Sequence, residues 1–289
     1  MKKTEDQISN NPIGIYYQEN NDYCDMSRHF HHLYEIILIT EGSAEFIINS
    51  KHYVARKNSL IFISDLENHA VKVAQYPYKR YVITMTRDFT LMMIKDPTLM
   101  SVLVQRPESF PYIAELNETL TTKMVHLLSD LLDECRICDA FWLNRSAAII
   151  TGLLIDLYRH NKKVFPINEN TNIVQTVLSI QRYISKNFSN EITLDELSAQ
   201  YFISKYYLSR SFKEISGYNF KDYIILHRLT EAKEMLCHTN RLVTDIGASV
   251  GYSNVNHFIR IFKQHEGISP LQYRKLHLDH HLKNEGHFL

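Results

Sequence analysis

Cysteine is scarce in this chain, and what there is builds no framework. Its 289 residues hold 4 cysteines: Cys24, Cys135, Cys138 and Cys237. They are too few and too scattered for a disulfide-stapled fold, and they match the usage of a reducing cytoplasm. Cys135 and Cys138 have the spacing of half a metal or redox motif. No second pair completes it, so ordinary helix residues are expected there. No apolar run reaches the ~18 residues of a membrane-crossing helix. The first residues, Met1–Asn11, are polar, so no secretory leader is expected. Net charge is absent too: 32 Lys and Arg balance 32 Asp and Glu, so overall charge gives no reason to expect a nucleic-acid partner. A P-loop, a dinucleotide fingerprint and a Ser/His/Asp set are all missing. Neither an enzyme nor a bound cofactor is therefore expected.

What is present describes a globular protein of the α+β class. Hydrophobic residues make up 45% and charged residues 22%, enough for packed cores, and the length suits two domains. The charge is unevenly divided. Residues 171–276 carry 13 Lys and Arg against 9 Asp and Glu, while residues 1–170 carry 18 against 21. A polyanion would meet the C-terminal part.

Residues 1–27 read as a polar N-terminal arm containing Tyr16, Tyr17 and Tyr23. From Arg28 to about Asp88 the pattern is β. The runs Leu33–Thr40, Ala44–Asn49, Leu60–Ile63, Ala70–Val73 and Arg80–Thr86 are separated by turn residues such as Glu41-Gly42-Ser43. Short strands at this spacing predict an antiparallel barrel or jelly roll. From about Ala114 the apolar period becomes helical, through Leu116, Leu120, Met124, Leu131 and Cys135. It resumes through Leu143, Ala147, Ile150, Leu154 and Leu157, with Trp142 at its edge. Two long helices after such a barrel predict a homodimer contact, so residues 28–161 form one domain. Residues 162–171 read as a linker and 172–276 as a helical domain. The tail 277–289, with His277, His280, His281 and His287, is expected to be exposed rather than metal-binding.

The helical domain contains two matched units. In the first, Leu194–Ile203 leads by a tight turn into Ser204-Lys-Tyr-Tyr-Leu-Ser-Arg-Ser-Phe212-Lys213. In the second, Val243–Tyr252 leads into Ser253-Asn-Val-Asn-His-Phe-Ile-Arg-Ile-Phe262-Lys263. Aligned on Leu208/Phe212 and Phe258/Phe262, they lie 50 positions apart. A short helix, a turn, a cap and then a basic amphipathic helix is the helix–turn–helix arrangement that enters a major groove. Leu208, Phe212, Phe258 and Phe262 should face the core. The groove-facing candidates are Ser204, Lys205, Tyr206, Ser209, Arg210 and Lys213 in the first unit. In the second they are Asn254, Asn256, His257, Arg260 and Lys263. The forks of Arg210 and Arg260 match guanine O6/N7, Asn256 matches adenine, and the lysines match phosphates. A connecting helix over about Phe220–Leu236 fixes the separation of the units. Placed in successive grooves, they would read segments about 10 bp apart.

These residues, together with Gly251-Tyr252, Gly267-Ile-Ser-Pro270 and Tyr273-Arg274, resemble the DNA-binding domain of the AraC/XylS family of bacterial transcription regulators. The resemblance covers about the last 100 residues. Phe202 in the first turn, Gly247 and Val255 depart from the family's usual residues. It implies a cytoplasmic, double-stranded-DNA-binding regulator, more often an activator, that works with RNA polymerase.

The N-terminal half resembles the cupin-type sensor of such regulators. His29-x-His31-x3-Glu35-x6-Gly42 follows cupin spacing, and His69 stands where the second motif places its histidine. Two departures accompany it: no glycine precedes the first motif, and Arg56-Lys57-Asn58 replaces the Pro-x-Gly of the second. Residues two apart share a strand face, which directs His29, His31 and Glu35 inward together. The resemblance implies an effector pocket formed by His29, His31, Tyr34, Glu35 and His69, with a sugar as the family's commonest effector. Two alternatives remain open. One is a metal-dependent cupin enzyme fused to a DNA-binding domain, because three imidazoles and a carboxylate suit a transition metal. The other is a constitutive regulator whose barrel serves only dimerisation.

Overall fold

The computed structural model describes residues 11–22, 25–166 and 171–276. Tyr23, Cys24, the whole of the expected tail and part of the expected linker lie outside the described residues. The chain divides into two compact units at Thr171–Asn172.

The first unit is built on an antiparallel sheet. Its strands are β1 (Ile13–Asn20), β2 (Met26–His29), β3 (Leu33–Ile48), β4 (Lys51–Arg56), β5 (Ser59–Ile63), β6 (His69–Thr86) and β7 (Ile113–Glu115). The order is β1-β6-β3-β5-β7, with β2 also on β6 and β4 also on β3. Residues 13–20, expected in the arm, pair with β6 from Ile13↔Met85 to Asn20↔Tyr78. Their polar second half, Gln-Glu-Asn, hides the strand from a hydrophobic-pattern reading.

The expected runs Leu33–Thr40 and Ala44–Asn49 are two halves of β3. Ala70–Val73 and Arg80–Thr86 are likewise two halves of β6. The β3–β6 register shifts between Ile39 and Ala44, where Gly42 has φ +77°. A Cβ on Gly42 would lie 2.4 Å from the carbonyl oxygens of Gln75 and Pro77, so this position requires glycine. The bulge changes which parity faces inward. Ile37 and Ile39 precede it; Ala44, Phe46 and Ile48 follow it, and all five join one core with Ile61, Ile63, Val71, Tyr78 and Val82. These register shifts thus let a single strand line the same interior on both sides of its bend.

Among the described residues, four α-helices, α1 (Arg87–Met93), α2 (Pro97–Val104), α3 (Glu118–Ile137) and α4 (Trp142–His160), and a short 3-10 helix at Lys162–Val164 accompany the sheet. The helical pattern expected from Ala114 begins later. Residues 113–115 pair with β5, and Asn117 caps α3 by accepting from the Leu120 amide at 2.8 Å. Met124, Leu128 and Leu131 of α3 and Ala147, Ile150, Leu154 and Leu157 of α4 are buried. Cys138 ends α3 in the left-handed conformation. Burial pushes the Cys135 thiol up to about 11, against a reactive thiolate. Within the expected linker, Val164 and Phe165 are buried.

Among the described residues the second unit is helical, with α5 (Thr171–Asn187), α6 (Leu194–Gln200), α7 (Lys205–Ser216), α8 (Phe220–His238), α9 (Val243–Ser249), α10 (Val255–Glu266) and a further helical stretch at residues 270–276. Buried positions run all round α8, from Phe220 and Tyr223 to Ala232 and Leu236. It is the strut on which the others pack. Thr193 and Glu196 form a capping box that starts α6, and Gly267 closes α10 at φ +78°. Arg228 of α8 donates to the carbonyls of Phe188 (2.7 Å) and Asn190 (2.9 Å), tying the α5–α6 connection to the strut.

Candidate effector pocket and nucleic-acid interface

Three of the expected pocket residues meet through the sheet rather than along one strand. His29 ends β2 and pairs across to His69 at the start of β6; their ring centroids are 4.2 Å apart. His31 follows β2, and its carbonyl accepts from the Leu66 amide at 2.8 Å. Its ring centroid lies 5.2 Å from that of His69. The expectation that His29 and His31 share a strand is therefore replaced by convergence of the end of β2, the connection after it and the start of β6. One ligating nitrogen from each of His29, His31 and His69 falls within 4.8 Å of the others.

Glu35 lies among these rings. Its Oε1 is 3.3 Å from His31 Nε2 and its Oε2 is 3.5 Å from His69 Nε2. These are ion-pair distances without hydrogen-bond geometry. Glu35 shares the parity of Ile37 and Ile39 and therefore the interior face. Burial opposes its ionisation, but the imidazoles of His31 and His69 outweigh this and hold the carboxyl well below the usual carboxylate range. For His69, burial disfavours the imidazolium. Its Glu35 contact and the Glu67 carbonyl prevail, and the pKa is raised. His69 Nδ1 lies 2.9 Å from that carbonyl. A carbonyl only accepts, so Nδ1 carries a hydrogen and Nε2 is the atom turned toward Glu35.

Glu67 was not anticipated as a site residue. It is held by Arg106 Nε at 3.0 Å from both carboxylate oxygens, by the Tyr112 hydroxyl at 2.7 Å and by the Ser64 amide at 2.6 Å. This network fixes the backbone that orients His69. The partners are distant in sequence, and no local pattern marks them.

Tyr34 does not join the histidines. It alternates with Glu35 on β3 and is buried on the opposite face beside Asp65, Arg87 and Arg106. Burial pushes its phenol up. Asp65 and Arg87 form a buried ion pair there. Tyr34 is thus part of the packing outside the interior.

In the second unit, Leu208, Phe212, Phe258 and Phe262 are fully buried. Ser204, Lys205, Tyr206, Ser209, Arg210 and Lys213 are exposed around α7. Asn254, Asn256, His257, Arg260 and Lys263 are exposed around α10. Ser204 Oγ accepts from the Tyr207 amide at 3.3 Å. Asn254 Oδ1 accepts from the amides of Asn256 (2.9 Å) and His257 (3.1 Å). Both residues therefore cap their helices, which leaves the amide nitrogen of Asn254 as its outward group. Lys205 Nζ lies 2.6 Å from Asp195. Phe202, at φ +53° in the first turn, is 95% exposed and fills no core position. Gly247 has a packing reason: a Cβ there would come within 3.0 Å of the Phe258 ring.

A sensor sheet with a polar interior cluster, followed by paired helix–turn–helix units, defines a ligand-binding transcription regulator. The chain belongs to the AraC family. Residues 12–137 match the family described as AraC-like ligand binding domain, and residues 197–276 match the family described as Helix-turn-helix domain. An uncharacterised HTH-type transcriptional regulator, YdiP of Escherichia coli K12, is 29% identical over 253 residues, 85% of this chain and 80% of that protein. The HTH-type transcriptional activator RhaS of Klebsiella pneumoniae is 24% identical, over 86% of this chain and 87% of its own. Among solved structures, apo ToxT of Vibrio cholerae has the same fold at a TM-score of 0.58. It is 12% identical, over 92% of this chain and 97% of that one. No helix among the described residues is long and apolar enough to cross a membrane.

Proposed function

We propose that this AraC-type regulator senses a small molecule inside the N-terminal sheet and activates transcription as a cytoplasmic homodimer acting with RNA polymerase. It performs no catalysis of its own. His29, His31, Glu35 and His69 form the polar wall of the pocket. The observation that carries this is the imidazole–carboxylate cluster within a largely apolar interior, an arrangement that orients a ligand and costs stability when empty. Activation is supported by the named activator among the relatives. Dimerisation through the α3–α4 region is supported by Phe141 and Ile137, which are 81% and 65% exposed. A sugar remains the effector class that the family resemblance favours. Effector binding would alter DNA affinity through a coupling free energy between the two sites.

On DNA, Arg210 and Arg260 make the base contacts, and Tyr206, Ser209, Asn256 and His257 read beside them. Lys213 and Lys263 hold phosphates. Neither arginine has an ion-pair partner among the described residues, consistent with availability to a ligand. The test is fluorescence anisotropy with the chain's own promoter fragment. Arg210→Ala and Arg260→Ala should each weaken binding by about 1–3 kcal/mol, and the double variant should abolish it. Undiminished binding by the double variant at physiological salt would refute the assignment.

A second reading has a specific observation in its favour: three imidazole nitrogens within 4.8 Å of one another, with Glu35 adjacent, fit a divalent transition metal. His69 would offer Nε2, since Nδ1 is engaged by the Glu67 carbonyl. Elemental analysis after metal exposure separates the two, because an effector-only pocket retains no stoichiometric metal.

A further inference from the structure

We infer that the effector of the sensor sheet carries an anionic group, a carboxylate in the first instance, and that Arg80 receives it. This rests on the ligand-binding reading above and names the chemical class of the ligand.

Arg80 lies on β6 with the parity of Tyr78 and Val82, both of which line the interior core. Across the sheet it opposes Ile39 of β3 and Gln18 of β1. Ile39 belongs to that core, and Tyr16, two residues from Gln18, packs against it. The guanidinium therefore points inward, and the residue is only 3% exposed. A buried cation normally has a carboxylate partner, because desolvation is otherwise uncompensated. Arg80 has none among the described residues. Its Nη2 donates to the neutral amide oxygen of Gln18 at 2.5 Å. Its carbon Cζ lies 4.7 Å over the Tyr78 ring. Nη1 is buried without a hydrogen-bond partner.

The acids next to it across the sheet, which pair opposite Lys79, are engaged elsewhere. Glu19 and Glu41 both pair with Lys79, at 3.5 and 3.0 Å. Glu35, the interior carboxylate, is held by His31 and His69 and lies four residues along β3 from the Arg80 partner Ile39, ~13 Å at strand rise. The interior is thus polarised, with an acid–imidazole cluster toward one end and an unmatched guanidinium toward the other. An organic acid satisfies the second directly. The planar fork of arginine matches a carboxylate, and such charge-assisted bonds are strongest where water is excluded.

The experiment is thermal unfolding of the full chain with matched acid and neutral compounds: galacturonate and galactose, benzoate and benzamide, decanoate and decanol. At least one acid should raise the Tm by several degrees at millimolar concentration while its neutral partner does not. Arg80→Gln should abolish that rise. In a second variant, Gln18→Glu, an internal carboxylate replaces the amide oxygen on Nη2. It should raise the unliganded Tm by a few degrees and suppress the response to the acid. A neutral compound acting as strongly as its acid, or an acid acting equally on Arg80→Gln, would overturn the anionic class and leave the ligand-binding reading intact. Silence of every acid on the wild-type chain also overturns it; the ligand-binding reading falls with it only if the neutral compounds are silent too. An unchanged or lowered Tm for Gln18→Glu overturns the premise of an uncompensated charge, even if Arg80→Gln fails to fold.

Discussion

Glu35 and His69 shift in opposite directions because His31 and His69 supply the charge that Glu35 needs, and Glu35 supplies the one that His69 needs. Glu35 is depressed below its ordinary 4.5 and His69 is raised above its ordinary 6.5. The Glu35 contribution to stability is present above 4.5 and is lost as pH falls through its folded value. The His69 contribution is complete below 6.5 and is lost as pH rises through its folded value. Both act together between 4.5 and 6.5, so the sensor unit should be most stable there. Its Tm should decline as pH rises past 6.5. His69→Gln should flatten that alkaline decline, and Glu35→Gln should flatten both limbs. A His69→Gln profile parallel to the wild type would show that the pair does not govern the pH response. The histidines and Glu35 are legible in the sequence as a spaced motif. Their partners are not, because Glu67, Arg106 and Tyr112 come from separate segments and carry no local signature.

At the scale of elements, the helix–turn–helix units follow closely from local chemistry. Caps at Thr193, Ser204 and Asn254 and apolar residues four apart fix both helix starts and buried faces within short windows. Gly251 shows what the windows do not contain. It has φ +93°, and a Cβ would lie 2.5 Å from the Ser189 carbonyl oxygen. Gly251→Ala should destabilise the second unit by roughly 2–3 kcal/mol in urea unfolding. A loss under about 0.5 kcal/mol, within the range of ordinary surface substitutions, would mean that the close approach relaxes freely. In the sensor, the same pattern reading divides β3 and β6 at their bends. A bulge looks like a turn when the residues around it are Glu-Gly-Ser, and only pairing across the sheet shows that the strand continues.

For the whole molecule, zero net charge conceals a division of labour. The basic excess lies in residues 171–276, where Lys213, Arg260 and Lys263 are exposed. DNA affinity of the full chain should fall with salt, at a log–log slope of roughly −3 to −4 for about four phosphate contacts. A slope near zero, measured by anisotropy across a salt series, would rule out phosphate contacts as the main source of affinity.

The sequence by itself determined the two-part organisation, the paired recognition helices and the histidine motif. These depend on periodicity, capping and spacing, which act over a few residues. Only the tertiary structure decided that Tyr34 faces away from Glu35, that residues 13–20 form a strand, and that Arg80 lies inside without an acid. Both faces of the β3 and β6 segments around Glu35 and Val82 are buried. Hydrophobic alternation therefore carries no information about which face is the interior, and strand pairing and the bulge at Gly42 settle it instead.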